Sequence, residues 1–436
     1  MSDRKTSSLR YAVGMFGTSI PINMFKTYAA AFYVMGRGVT TSQLALVLFI
    51  YTFVDAIDNP VYGFLSDRTR TRWGRRRLWL VIGTPLLVLS FIGFFNVPSF
   101  IGPGSVFAYM LLMYILTGTL DSLINANYAA LFPEMFKTDT ERAKTNALRQ
   151  AFQLVAMVIS IALTPVVTDK LGYGTTALIY GLLAGAVILF MALGCHEPAA
   201  DASVEKPRLL NTLKDMLTNP KFWIYGLTNA FYSAAMALVM AAVPFYVQYT
   251  LGLSGIANTV LLGVVLLLAM GCVAIWAHLV KKFTLMPVWR TALIFMGLSF
   301  IPLYFASGLV SAICGCVAVG IGFAGVITTM DLVGARIMDE DCRIHGLKRE
   351  GTYASAMGFM NRLSGLFTSL AFLLVGSLYG FESGDVPGPH PAQAARFLLV
   401  IFPFCAMILS VLCSRFLKFP ELDGDGTKPG RADGAL

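Results

Sequence analysis

Residues 55–79 read DAIDNPVYGFLSDRTRTRWGRRRLW. Two carboxylates, Asp55 and Asp58, interrupt an otherwise apolar run that ends in six arginines. The surrounding chain decides how to read them. Its 436 residues are 56% hydrophobic and 13% charged, with a mean hydropathy of +0.69. A soluble domain carries about 25% charged residues. Half that density, gathered between long uncharged stretches, describes a polytopic membrane protein. The acids then lie inside a span, and the arginines form the basic loop beside it.

About 20 apolar residues cross the hydrocarbon as a helix. Spans are expected near 10–35, 43–65, 78–97, 105–131, 147–168, 174–195, 221–250, 255–280, 286–308, 311–336, 352–380 and 395–417. The runs are too long for the alternating strands of a membrane barrel. Lysines and arginines concentrate at the N-terminus and after spans 2, 4, 6, 8 and 10, which places both termini in the cytoplasm. The +9 net charge is this asymmetry, so no nucleic-acid partner is expected. The basic start shows no cleavable signal peptide. The seven cysteines form no CxxC pair and the four histidines are scattered, so no metal cluster is expected.

The longest polar interruption, 196–220, divides the spans six and six, with LLNTLKDML as a candidate surface helix. The expected organisation is an all-α membrane protein with twelve transmembrane helices in two six-helix bundles, 1–195 and 221–417. A cytoplasmic linker covers 196–220, and a tail with the composition of disorder covers 418–436. This is the plan of the major facilitator fold, in which solute binds at the midplane between the halves.

Ionisable residues within spans point to function by default. Asp55 lies about ten residues, or about 15 Å, from the cytoplasmic end of span 2. Asp58 and Asn59 follow at i+3 and i+4 on the same face. Two carboxylates this close in low dielectric need a shared positive partner. Span 4 adds Asp121, Asn125 and Tyr128 at i, i+4 and i+7, with Ser122 alongside. Lys26 in span 1, Arg149 at the start of span 5 and Arg362 in span 11 supply bases at similar depth. These charges either hold the bundle together or line a cavity for an ion, a polar solute or both. There is no GxxxxGK[ST] phosphate loop and no nucleophile–base constellation, so an enzyme or ATP-driven pump is not expected.

DAIDNPVYGFLSDRTRTRWGRRRLWLVIGTP resembles the helix 2–3 signature of the glycoside–pentoside–hexuronide:cation symporters, the melibiose-permease type. NANYAALFPEMFKTDTERAKTNALRQAF is similar to that family's helix 4–5 segment, and DEDCRIHGLKREGTYASAMGF to its helix 10–11 loop. The resemblance implies that Asp55, the Asp58/Asn59 pair and Ser122 bind the coupling H⁺ or Na⁺, with Na⁺ at Asp55 as the metal candidate. Solute contacts would fall to Asn125, Arg149 and Arg362, joined by Lys26, Asp121 and Tyr128. The sequence departs from the family at several points. The acid usually found directly before the proline is Asn59 here, with Asp58 one step earlier. A sugar-binding helix 1 aspartate is Ser19, and a helix 4 tryptophan is Ala129. Ring stacking would pass to Tyr28, Tyr33, Tyr128, Tyr232 or Tyr353. Lys26 is an unusual base, and its ammonium could fill the space of a metal ion.

GFLSDRTRTRWGRRR also resembles the facilitator-superfamily loop motif that latches the cytoplasmic side. Gly63, Asp67, Arg75 and Arg76 would form that latch, with Arg142 and Asp341 as partners. The expected function is cation-coupled symport of a sugar, glycoside or similar polar solute, by a monomer in the bacterial inner membrane without a cofactor. A lysophospholipid or other amphipathic-solute carrier is the alternative. A membrane sensor that binds solute without moving it is a second.

Overall fold

A computed structural model describes residues 6–69, 71, 74, 76–136, 139–196, 219–253, 255–345, 360 and 362–419. The secondary structure among them is helical. In chain order the long helices are α1 (Ser8–Ala30), α2 (Thr41–Arg68), α3 (Arg77–Phe95), α4 (Val106–Met135), α5 (Asp139–Met157) and α6 (Thr164–Gly194). They continue with α7 (Pro220–Phe245), α8 (Gly255–Phe283), α9 (Leu285–Leu298), α10 (Leu309–His345), α11 (Ser364–Tyr379) and α12 (Phe402–Phe416).

Nine helical segments among the described residues are long and apolar enough to cross a membrane. Helices α1, α5 and α11 stand outside that set for identifiable reasons. Arg10 and Lys26 lie within α1, the first turns of α5 read DTERAK, and α11 has 16 residues, about 24 Å of rise. The surface has the character of a protein solvated by lipid: Leu89, Leu182, Leu193, Leu267, Ile275 and Val310 are all more than half exposed.

Local signals set the helix ends. Thr40 and Gln43 form a capping box at the start of α2: Gln43 N donates to Thr40 Oγ1 at 3.1 Å, and Thr40 N donates to Gln43 Oε1 at 3.0 Å. Gly172, at φ 75°, breaks α6 after its second turn, in a conformation that glycine adopts without penalty.

Helices α1–α6 pack mainly on one another, as do α7–α12. Among the described residues the two groups meet where α2 packs on α11, the π-helical turn after α5 on α8, α6 on α8, and α1 with its own π-helical turn on α7. The α2–α11 seam is the most extensive of these. At one end, Thr41 N donates to Glu382 O at 2.7 Å and Gly384 N to Val34 O at 2.7 Å. Thr41 Oγ1 donates to Phe381 O at 2.8 Å, and Ser369 Oγ to Ala45 O at 2.6 Å. Gly376 lies against Thr41 and Gly365 against Thr52, so small residues let the backbones approach.

Candidate functional site

Following the seam from Thr41 toward the middle of α2 leads to Asp55. Its Oδ1 oxygen accepts from Ser122 Oγ of α4 at 3.0 Å and pairs with an Arg362 guanidinium nitrogen at 3.2 Å. Tyr51, one turn earlier on α2, also donates to it at a longer 3.4 Å. Asp55 and Ser122 belong to the first group of helices and Arg362 to the second. One carboxylate oxygen therefore ties the two groups together at mid-depth. Both charged side chains retain partial exposure, 15% and 17%, so the pair borders an open space.

The neighbouring acids take other partners. Thr119 Oγ1 donates to Asp58 Oδ2 at 3.0 Å. Asn125 Nδ2 donates to Asp121 Oδ1 at 2.8 Å and to its carbonyl at 3.1 Å. Asp121 also interacts electrostatically with Lys26, Asp55 and Arg362. Lys26 is exposed on α1 although it lies within the helix, as a base lining a cavity would be. The positive partner that the paired acids require is thus present within the protein. Arg362 faces Asp55 directly, and its charge reaches Asp58 as well.

A Na⁺ ion at Asp55 would need several oxygens turned toward one point. In this arrangement Oδ1 of Asp55 faces a guanidinium, while Asp58 and Asp121 point their bonded oxygens at Thr119 and Asn125. No cluster of three or more His, Cys, Asp or Glu with metal-holding geometry occurs among the described residues. As placed, the Asp55 carboxylate is engaged through Oδ1 by Ser122 and the arginine.

The predicted aromatic residues that are described, Tyr28, Tyr33, Tyr128 and Tyr232, are all buried in packing contacts. Tyr33 is fully buried, donates to Phe94 O at 2.8 Å and packs its ring 4.9 Å from that of Phe94. Tyr28 is likewise buried, its hydroxyl donating to Ile161 O. Tyr128 stacks on Tyr11 at 4.6 Å, and the two exchange hydroxyl-to-carbonyl bonds of 2.6 and 3.1 Å. Arg149 lies over this cluster, with its guanidinium carbon 5.1 Å from the Tyr128 ring and 5.0 Å from that of Phe132. These residues brace α1 against α3, α4 and α5; the structure does not bring Tyr33 to the Asp55 cluster. Tyr232, on α7, is buried beside Asp331 of α10. Ser19 is buried, and Ala129 is exposed.

Sequence reasoning missed Thr119, Tyr51 and Asp331. Thr119 and Tyr51 had a weak signal: each lies one helical turn from a site residue, Ser122 and Asp55 respectively. Of the latch residues, Arg76 donates to Ser66 Oγ at 3.4 Å. Its neighbour Arg77 donates to the carbonyls of Ala192 and Leu193 at 2.8 and 3.1 Å, capping the C-terminal end of α6. The side chains of Asn59, Gly63, Asp67, Arg142 and Asp341 lie outside the described residues, as do Arg75, Tyr353, the candidate helix within 196–220 and the tail beyond 419.

A cavity of about 630 Å³ opens away from the charged cluster, at the end of the molecule that holds Val34 and Thr41. Phe32, Arg37 and Asn96 line it from the first group of helices, and Gln248 and Asn258 from the second.

The profile of the MFS/sugar transport protein family matches residues 10–421, nearly the whole chain. The protein belongs to that family. Its members are transporters and not enzymes, and the chain is an integral, multi-pass membrane protein. Relatives agree with the symporter resemblance of the helix 2–3 stretch. An isoprimeverose transporter of Lactiplantibacillus pentosus is 22% identical over 434 residues, covering 95% of this chain and 88% of its own. An uncharacterized symporter of Synechocystis sp. is 28% identical over 223 residues, covering 49% of this chain and 41% of its own. Among solved structures, a crystal structure of the nucleoside transporter NupG superposes with a TM-score of 0.70 at 10% identity. The likeness covers 94% of this chain and 99% of that one, and it concerns the fold alone.

Proposed function

We propose that the protein is a secondary active transporter of the bacterial inner membrane. It moves a sugar, glycoside or similar polar solute together with H⁺ or Na⁺ by alternating access. Twelve spans with both termini cytoplasmic complete this reading, with α1, α5 and α11 crossing alongside the nine apolar segments. The single observation that carries it is the Asp55–Arg362 pair at 3.2 Å, contributed by opposite groups of helices and set in a partly open space. A purely structural pair has no need of that openness.

The pair gives a physical route to coupling. Arg362 and an incoming cation compete for Asp55, so cation binding and the approach of the two helix groups are linked reciprocally. When the cation neutralises Asp55, Arg362 is released from the pair; when the cation leaves, the guanidinium returns. Ser122 holds the carboxylate in place throughout. The α2–α11 seam joins the two groups at the Thr41 end, the outer one in this reading, beside the cavity lined by Arg37 and Gln248.

Uptake of radiolabelled glycosides into membrane vesicles under imposed H⁺ or Na⁺ gradients tests this. Wild-type protein accumulates its solute against a gradient, and Asp55→Asn only equilibrates it. Full accumulation by Asp55→Asn would remove the coupling role. The dependence on Na⁺ or on pH alone identifies the cation.

A further inference from the structure

Helix α10 carries an acid that the coupling scheme leaves unused. Asp331 sits in an apolar stretch, GVITTMDLVGA, and shares an exposed stripe with Ile327 and Ala335 at four-residue spacing. It stands beside Tyr225 and Tyr232 of α7, close enough for its charge to act on both hydroxyls. The Tyr225 hydroxyl is already committed, donating to Met330 O at 3.0 Å. Helix α7 packs on α1, α11 and α12, which puts it at the junction of the two helix groups, and the Tyr225–Met330 bond ties α10 to it beside Asp331.

The other acids of the cavity region are partnered: Asp55 by Arg362, Asp58 by Thr119 and Asp121 by Asn125. Asp331 has no hydrogen bond or ion pair among the described residues. A carboxylate at this depth is costly unless something positive or rich in donors meets it. The tyrosines beside it are buried, with the Tyr225 hydroxyl spent on Met330 O and the Tyr232 ring packed on Phe323. That leaves the outward side of the carboxylate to donors from a solute, hydroxyls or an ammonium group.

We propose that Asp331 is the solute-binding carboxylate of the α7–α12 side, and that the transported solute presents hydrogen-bond donors to it, hydroxyls or an amine, and no anionic group. This deepens the transporter reading and rests on it. It narrows the solute to neutral or aminated sugar-like molecules and sets acidic sugars and anionic headgroups aside.

Two measurements on the full-length protein in proteoliposomes test it. In a version with the seven cysteines replaced, Ala335→Cys is labelled with methanethiosulfonates bearing either a trimethylammonium or a sulfonate group. Ile327→Cys gives the same readout from the opposite side of Asp331. The cationic reagent should react faster by about tenfold, and Asp331→Asn should erase the difference. The second measurement is binding of methyl glucoside, glucosamine and glucuronate by calorimetry. Glucuronate should bind at least about tenfold more weakly than the better of the other two, with the gap closing in Asp331→Asn. Which of those two binds better separates hydroxyl from amine recognition.

Labelling that ignores reagent charge at both positions, or glucuronate binding as tightly as its neutral counterpart, would overturn the proposal. Charge-selective labelling with none of the three sugars bound would instead overturn the sugar reading and leave Asp331 as a donor-seeking group.

Discussion

Helix α2 meets α11 in two different ways within about four turns. Near Thr41 the contact is neutral: backbone bonds to Glu382 and Phe381, a serine hydroxyl on Ala45 O, and glycines where any side chain would collide. At Asp55 it is ionic, a carboxylate and a guanidinium with partial access to water. The neutral contact depends on shape and is either formed or not. The ionic contact can be exchanged, because a proton or metal ion offers Asp55 an equivalent partner. One interface thus combines a shape-dependent closure with a chemically switchable latch, and the latch is where a gradient can act.

Charge reversal should break the contrast most severely. Arg362→Glu places two acids together at mid-depth, and breaking a buried pair costs about 3–5 kcal/mol. Solute accumulation should fall by at least about 100-fold, the equivalent of about 2.7 kcal/mol. Combining it with Asp55→Arg should restore protein stability in a thermal melt but not accumulation. Restored accumulation in the swapped pair would mean that the contact is only structural.

A wedge in the neutral part comes next. A Cβ on Gly376 would lie 2.8 Å from Thr41 Oγ1. Gly376→Val should therefore hold the Thr41 end apart and reduce uptake by about tenfold, while labelling of Ala45→Cys, a position buried in the seam, rises from outside. Unchanged labelling would mean that the seam has another means of closing.

Ser122→Ala sharpens the comparison from the ionic side. Loss of its bond to Asp55 Oδ1 should raise the half-saturating concentration of the coupling cation by about tenfold, with maximal uptake rate largely retained. An unaltered cation requirement would place Ser122 outside the coupling site. The smallest effect is expected at Tyr33→Phe, which removes the bond to Phe94 O. A loss of about 1 kcal/mol in stability with normal uptake would mark it as a brace. A selective loss of solute affinity would return it to the binding site.

Much of the site was legible because charge inside an apolar span is conspicuous. Asp55, Asp58, Asp121, Lys26 and Arg362 each stand out against their neighbours, and helical spacing alone placed Asp55 with Asp58 and Asp121 with Asn125. The tyrosines were harder to read. Tyr28, Tyr33 and Tyr128 have the composition of a sugar platform, but each donates its hydroxyl to a carbonyl of a distant segment. Such a partner, 61 to 133 residues away, leaves no periodic trace. Asp331 was overlooked for the opposite reason. It has no companion charge on its own helix face within a turn, and only the approach of α7 shows that Tyr225 and Tyr232 stand beside it.

The sequence by itself determined the medium, the helices and the identity of the buried charges, since hydropathy and charge are properties of residues counted along one chain. The tertiary structure decided which charge meets which: that Arg362 reaches Asp55 across the two helix groups while Asp58 turns to Thr119. Coulombic and hydrogen-bond partners are fixed by distances of about 3 Å in space, and residues so far apart in the chain acquire such distances only when the helices pack.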